Sequence, residues 1–119
     1  MGFEASHLER KIIFRRYFTI FKHVILWQLK DELTPELKET VKREAKAALE
    51  GLVGQVPGLL SVQVNINGID TSNADMMLDC TLQDEASLRA YATHPAHVAV
   101  ADSKVRPFTK ARVCMDFPV

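Results

Sequence analysis

Phe21-Lys22-His23-Val24-Ile25-Leu26-Trp27-Gln28-Leu29-Lys30 is the stretch on which the fold reading turns. Phe21, His23, Ile25, Trp27 and Leu29 alternate with a face carrying Val24 and Leu26, the period of two that marks a β-strand. Both faces are largely apolar. A strand of this kind is expected inside a layered fold or against a partner sheet.

Downstream of it, Thr34-Pro35-Glu36 reads as a helix start: a hydroxyl N-cap, proline at the first helical position and an acid in the first turn. Leu37, Val41, Ala45, Ala48, Leu49 and Leu52 recur at steps of three and four, so one stripe of this helix faces a core. Gly54 and Pro57-Gly58 stop the helix and turn the chain. Leu60, Val62, Val64 and Ile66 then alternate with Ser61, Gln63, Asn65 and Asn67 as a second strand. After a polar loop, Met76, Leu78, Cys80 and Leu82 alternate with Met77, Asp79 and Thr81 as a third. Asp84 caps a short helix carrying Leu88 and Tyr91, and Pro95 opens another that runs towards Lys104. Ala111, Val113, Met115 and Phe117 alternate with Lys110, Arg112, Cys114 and Asp116 as a fourth strand.

Strand, helix, strand, strand, helix, strand is the split βαβ order of the ferredoxin-like α+β fold, with an antiparallel sheet in the spatial order 4-1-3-2. The helices cover one sheet face. The first strand is apolar on the other face too, so a second copy packed sheet to sheet is the expected cover, giving a dimeric α+β barrel. In that order a Cys80 to Cys114 disulfide within the chain would span roughly 9 to 10 Å, beyond the usual limit of about 7 Å. Both cysteines read as strand residues filling core, in keeping with a reducing compartment.

The chain has 119 residues, 47% of them hydrophobic, with 15 Lys plus Arg against 15 Asp plus Glu. That length suits one domain, and the balanced charge supplies no global field for nucleic acid or an anionic membrane. No apolar run approaches the roughly 18 residues of a membrane helix, so a cytoplasmic protein is expected. Residues 1–20 follow neither period and read as an N-terminal extension to a domain spanning 21–119. Their opening, Met1-Gly2-Phe3-Glu4-Ala5-Ser6, satisfies the N-myristoylation pattern, but the segment is taken as an extension without a lipid.

Candidate chemistry gathers in Tyr91-Ala92-Thr93-His94-Pro95-Ala96-His97, a phenol and two imidazoles at the junction of two helical pieces. If Pro95 is the first helical residue, His97 lies in the first turn, where unpaired N–H groups disfavour an imidazolium; a neutral His97 suits a general base. Tyr91 offers a hydrogen bond to a carbonyl or enolate oxygen. His94 before a helical proline is equally a cap, His23 equally a core histidine, and Trp27 reads as core. No GxGxxG, P-loop, HExxH or GxSxG motif is present, and no CxxC or Cys/His ligand spacing, so no cofactor and no metal is expected.

Lys22-His23-Val24-Ile25-Leu26, Val56-Pro57-Gly58 and above all Tyr91 to Val98 resemble the stress-responsive dimeric α/β-barrel (Dabb) family over residues 21 to 117. The resemblance implies a homodimer with a pocket in each protomer. A plant cyclase of that family closes a linear polyketide by aldol chemistry; by resemblance its catalytic Tyr and His fall on Tyr91 and His97, its strand histidine on His23, and the other histidine of the motif on His94. The first helix here has no Tyr and the loop Gly68 to Asp75 no His, so the cyclase's other pocket residues do not transfer. The sequence is therefore read as a stress-responsive barrel protein binding a small apolar or aromatic molecule, with His97, Tyr91, His23, His94 and Trp27 at the site. The alternative is a cofactor-free cyclase-like or isomerase-like enzyme with His97 as base and Tyr91 as donor.

Overall fold

The computed structural model describes residues 19–119. The elements follow as β1 (Phe21–Leu29), α1 (Pro35–Glu50), β2 (Leu59–Asn65), β3 (Met76–Leu82), α2 (Glu85–Thr93), α3 (Pro95–Val100), a π-helical turn (Ala101–Val105), a 3-10 turn (Arg106–Phe108) and β4 (Thr109–Pro118). All strand pairs are antiparallel, in the order β2-β3-β1-β4. This is the expected ferredoxin-like sheet, with β1 and β3 at its centre. Residues 1–18, including His7 and the myristoylation pattern, lie outside the described residues. At the boundary, the Val119 N–H donates to the Ile20 carbonyl at 2.8 Å.

The helix starts follow the local chemistry read from the sequence. The Thr34 hydroxyl accepts from the Leu37 N–H at 3.1 Å, and the Asp84 carboxylate from the Ser87 N–H at 2.7 Å. Each satisfies a donor that a helix leaves orphaned at its start. The chain reverses after α1 through Gly54 and Gly58, with φ of 91° and 80°, a region open to glycine at no steric cost.

The core lies between the sheet and the helices. Ile25, Trp27 and Leu29 of β1, Met76, Leu78, Cys80 and Leu82 of β3, and Leu59 and Val64 of β2 pack on Val41, Ala45 and Leu49 of α1 and on Tyr91 of α2. Lys46 and Glu50 of α1 bind the Val64 carbonyl and N–H at 2.7 and 3.0 Å, which closes part of the exposed edge of β2.

Three expectations are corrected. Leu60 does not share the core face with Val62 and Val64: a register shift between Leu59 and Ser61 inserts one extra residue, so Leu59 turns inward and Leu60 outward. Leu37 begins the apolar stripe of α1 but is exposed, because the first turn projects past the packed part of the helix. Cys114 does not fill core. It is exposed, because every β4 residue from Lys110 to Asp116 is exposed on both faces of this edge strand.

Candidate functional site

The open inner face of β4 creates the site. Cross-strand register sets Arg112 opposite Trp27, Cys114 opposite Ile25 and Asp116 opposite His23, so these polar residues continue the inner face of β1 beyond the core. Between them and α2, α3 and the π-helical turn lies a cavity of about 530 Å³. Its apolar wall comes from Ile25, Trp27, Leu49, Leu78 and Leu88, its polar wall from His23, Tyr91 and His97. Arg89, Arg106 and Arg112 also line it. Arg89 is paired with Glu85 at 2.7 Å and Arg106 with Asp102.

His23 points towards the helices, which strand alternation alone leaves undecided. It is 8% exposed, and its Nδ1 meets Asp116 Oδ1 at 2.5 Å. Tyr91 is 1% exposed and stands between the two histidines: its ring centroid is 4.2 Å from that of His97 and 5.7 Å from that of His23. Trp27 serves as core and as cavity wall at once. His94 is turned to another task. Its Nδ1 accepts from the Ala96 N–H at 3.1 Å, capping α3, and His94 is not among the cavity-lining residues.

The break between α2 and α3 is what brings Tyr91 and His97 together. Six residues apart on one straight helix they would be about 240° apart around the axis, since 3.6 residues make a turn. His94 instead adopts an extended backbone, and Pro95 restarts the helix in a new direction. His97 Nδ1 then reaches back to the Ala92 carbonyl at 3.2 Å. A carbonyl only accepts, so Nδ1 carries the proton and neutral His97 keeps its lone pair on Nε2. Burial holds His97 below the usual histidine range; the Ala92 bond opposes this, while nearby Arg106, His23 and Arg112 reinforce it.

Burial likewise pushes the Tyr91 phenol far above its ordinary range, so it stays an O–H donor. Its hydroxyl has Cys80 Sγ at 4.0 Å, and burial raises that thiol to about 12. Cys114 Sγ lies 3.7 Å from His23 Nδ1 and 3.5 Å from Asp116 Oδ1. Burial first, then the Asp116 charge, raises the Cys114 thiol, so it is not poised as a nucleophile. Arg112, Cys114 and Asp116 are not among the site residues read from the sequence, where Cys114 is read as core. The signal was there in the alternation of β4, whose polar set shares a face with His23 once the register is known.

Among the described residues no helix is long and apolar enough to cross a membrane. The family model of the stress responsive A/B barrel domain matches residues 21–119. A dimeric protein of unknown function with a ferredoxin-like fold from Bacteroides fragilis is 27% identical, with a TM-score of 0.79 over 87% of this chain and 100% of its own. A dimeric ferredoxin-like protein of unknown function from Thermobifida fusca is 25% identical, with a TM-score of 0.71 over 86% of this chain and 92% of its own. The hydroxynitrile lyase of Passiflora edulis is 12% identical, with a TM-score of 0.68 over 84% of this chain and 93% of its own, a likeness of fold alone. Among curated proteins none matches the chain.

Proposed function

The chain belongs to the stress responsive A/B barrel domain family, and from that membership we propose that it works as a homodimer whose protomers each bind a small, largely apolar or aromatic molecule. The observation that carries this is the pairing of Tyr91 with His97 in a mostly apolar cavity of about 530 Å³. A few convergent polar groups in an apolar concavity are the usual make-up of a small-molecule site. The volume falls in the range of pockets that take drug-sized ligands. The free thiols of Cys80 and Cys114 fit a reducing compartment such as the cytoplasm, and the stress-responsive role belongs to this reading through the family.

Two observations support the dimer. The relatives from Bacteroides fragilis and Thermobifida fusca are both dimeric. The sheet face away from the helices also presents Leu26, Val113 and Met115, which are 41%, 67% and 66% exposed in one chain. By register Val113 lies opposite Leu26 and Met115 opposite Val24, so they form a contiguous patch that a second sheet would cover.

The tautomer of His97 favours a second reading, turnover by proton transfer. A neutral imidazole with its lone pair on Nε2 is a general base, and a buried phenol that stays protonated is a donor to the oxygen on which charge develops. Cyclisation or isomerisation next to a carbonyl asks for that pair and no cofactor.

Trp27 is the single tryptophan of the chain and a wall of the cavity, so its emission reports occupancy directly. A series of aromatic ketones and phenols titrated into the protein is expected to change that emission saturably, and His97→Ala is expected to weaken the response. A linear response, or an identical isotherm in His97→Ala and Tyr91→Phe, would refute the site.

A further inference from the structure

Beyond the Tyr91 and His97 pair, the same cavity holds a second cluster: His23 Nδ1, Cys114 Sγ and Asp116 Oδ1 all lie within 4.8 Å of one another. We propose that His23, Cys114 and Asp116 form a binding site for one zinc-type divalent metal ion, with a fourth coordination position open to the cavity.

The three side chains come from rigid neighbours. Asp116 is the cross-strand partner of His23, and Cys114 is two residues away on the same face of β4, so the strand register fixes all three donors. Both Cys114 and Asp116 approach the same ring nitrogen, yet one nitrogen has one proton or one lone pair and serves one partner well.

Zinc bonds of about 2.3 Å to sulfur and about 2.0 to 2.1 Å to nitrogen or oxygen place tetrahedral ligands about 3.6 Å apart for pairs with sulfur and about 3.3 Å apart for nitrogen and oxygen. The observed separations of Sγ from Nδ1 and from Oδ1 are 3.7 and 3.5 Å, already those of the metal-bound arrangement. Only the His23 to Asp116 gap, at 2.5 Å, is that of a hydrogen bond; a bound ion would displace its proton and widen it through a turn of the exposed Asp116 side chain.

Imidazole, thiolate and carboxylate together suit zinc rather than magnesium or calcium, which take oxygen ligands. Three protein ligands and one open position are the make-up of catalytic zinc sites rather than of closed structural ones. All three ligands line the cavity that holds Tyr91 and His97, so a bound ion would face the same small molecule.

The test is a titration of the full chain, kept reduced, with Co²⁺ alone. The expected result is one ion per chain, with the near-ultraviolet absorption of a cobalt thiolate and the intense visible bands of tetrahedral coordination. Cys114→Ser should lose the thiolate band, His23→Gln should bind about tenfold more weakly or worse, and Cys80→Ala should keep the full spectrum. Thermal melts of each apoprotein separate lost ligands from lost fold, and Cys114→Ser, a change on an exposed edge strand, is expected to melt as the parent does. Absence of a thiolate band in the parent chain, or its survival in Cys114→Ser, would overturn the proposal. The readout needs no organic ligand, so its failure leaves the Tyr91 and His97 reading untouched, and success does not depend on that reading.

Discussion

At His97 the hydrogen bond to Ala92 and the surrounding burial act together on one proton. Its folded pKa lies below the ordinary 6.5, so the sign of its effect on stability follows from linkage. Well above pH 6.5 the ring is neutral both folded and unfolded, and it contributes no pH dependence. As pH falls through that value the unfolded chain takes up a proton that the folded chain refuses. Stability therefore drops until the folded pKa is passed. His97→Gln should flatten this acid limb in denaturant midpoints measured between pH 7 and about 5, and an unchanged slope would mean the ring is not buried as described. Tyr91→Phe should cost less than about 1 kcal/mol of stability, because the hydroxyl has only a distant thiol beside it, while raising the Kd of a carbonyl ligand about tenfold. Paired thermal melts and Trp27 titrations check both halves. Tyr91, His97 and His23 were legible as candidates because their residue types and motif are local. His94 was not separable from them by sequence, since a cap and a ligand-binding imidazole look alike until the Ala96 N–H is seen to point at it. Asp116 and Cys114 were hidden because their meaning depends on a pairing across 93 and 91 residues.

Among the elements, those with strong local signals came out as read: the four strands by alternation, α1 and α2 by their Thr34 and Asp84 caps. What the pattern could not convey was where regularity breaks. The bulge at Leu60 and the π-helical turn Ala101–Val105 leave no period of their own, since each is a single-residue adjustment of an otherwise regular element. Gly58 is the position where such a local detail governs packing. Its φ is +80°, and a Cβ there would lie 2.5 Å from Ser87 Cβ and 2.1 Å from its Oγ. The Oγ could rotate away, but the Cβ is fixed to the backbone of α2. Gly58→Ala should therefore lower stability by about 2 kcal/mol or more, from the left-handed backbone and the enforced shift of α2 together. A loss of only a few tenths of a kcal/mol in chemical denaturation would mean that α2 does not dock on this turn as described.

For the molecule as a whole, the proposed assembly rests on the open sheet face and the proposed function on the cavity. If a second sheet covers Leu26, Val113 and Met115, then Leu26→Asp buries a carboxylate without a partner twice per dimer. The dimer Kd should rise by about a hundredfold or more, since an uncompensated buried charge costs several kcal/mol. Sedimentation equilibrium of the parent and the variant measures this, and a parent that is monomeric at micromolar concentration would place the interface elsewhere or nowhere. We also propose that the domain begins near Phe21, so a chain lacking residues 1–19 should keep a cooperative thermal transition; loss of that transition would move the domain boundary into the extension. In the proposed site Tyr91 and His97 together hold one hydroxyl oxygen of an otherwise apolar ligand. Crystals of the full chain soaked with phenolic fragments provide the test. Density is expected in the cavity with the ligand's hydroxyl oxygen within about 3 Å of both Tyr91 Oη, from which it accepts, and His97 Nε2, to which it donates. An empty cavity across the whole set, with fragments bound only outside it, would rule out a site built on Tyr91 and His97.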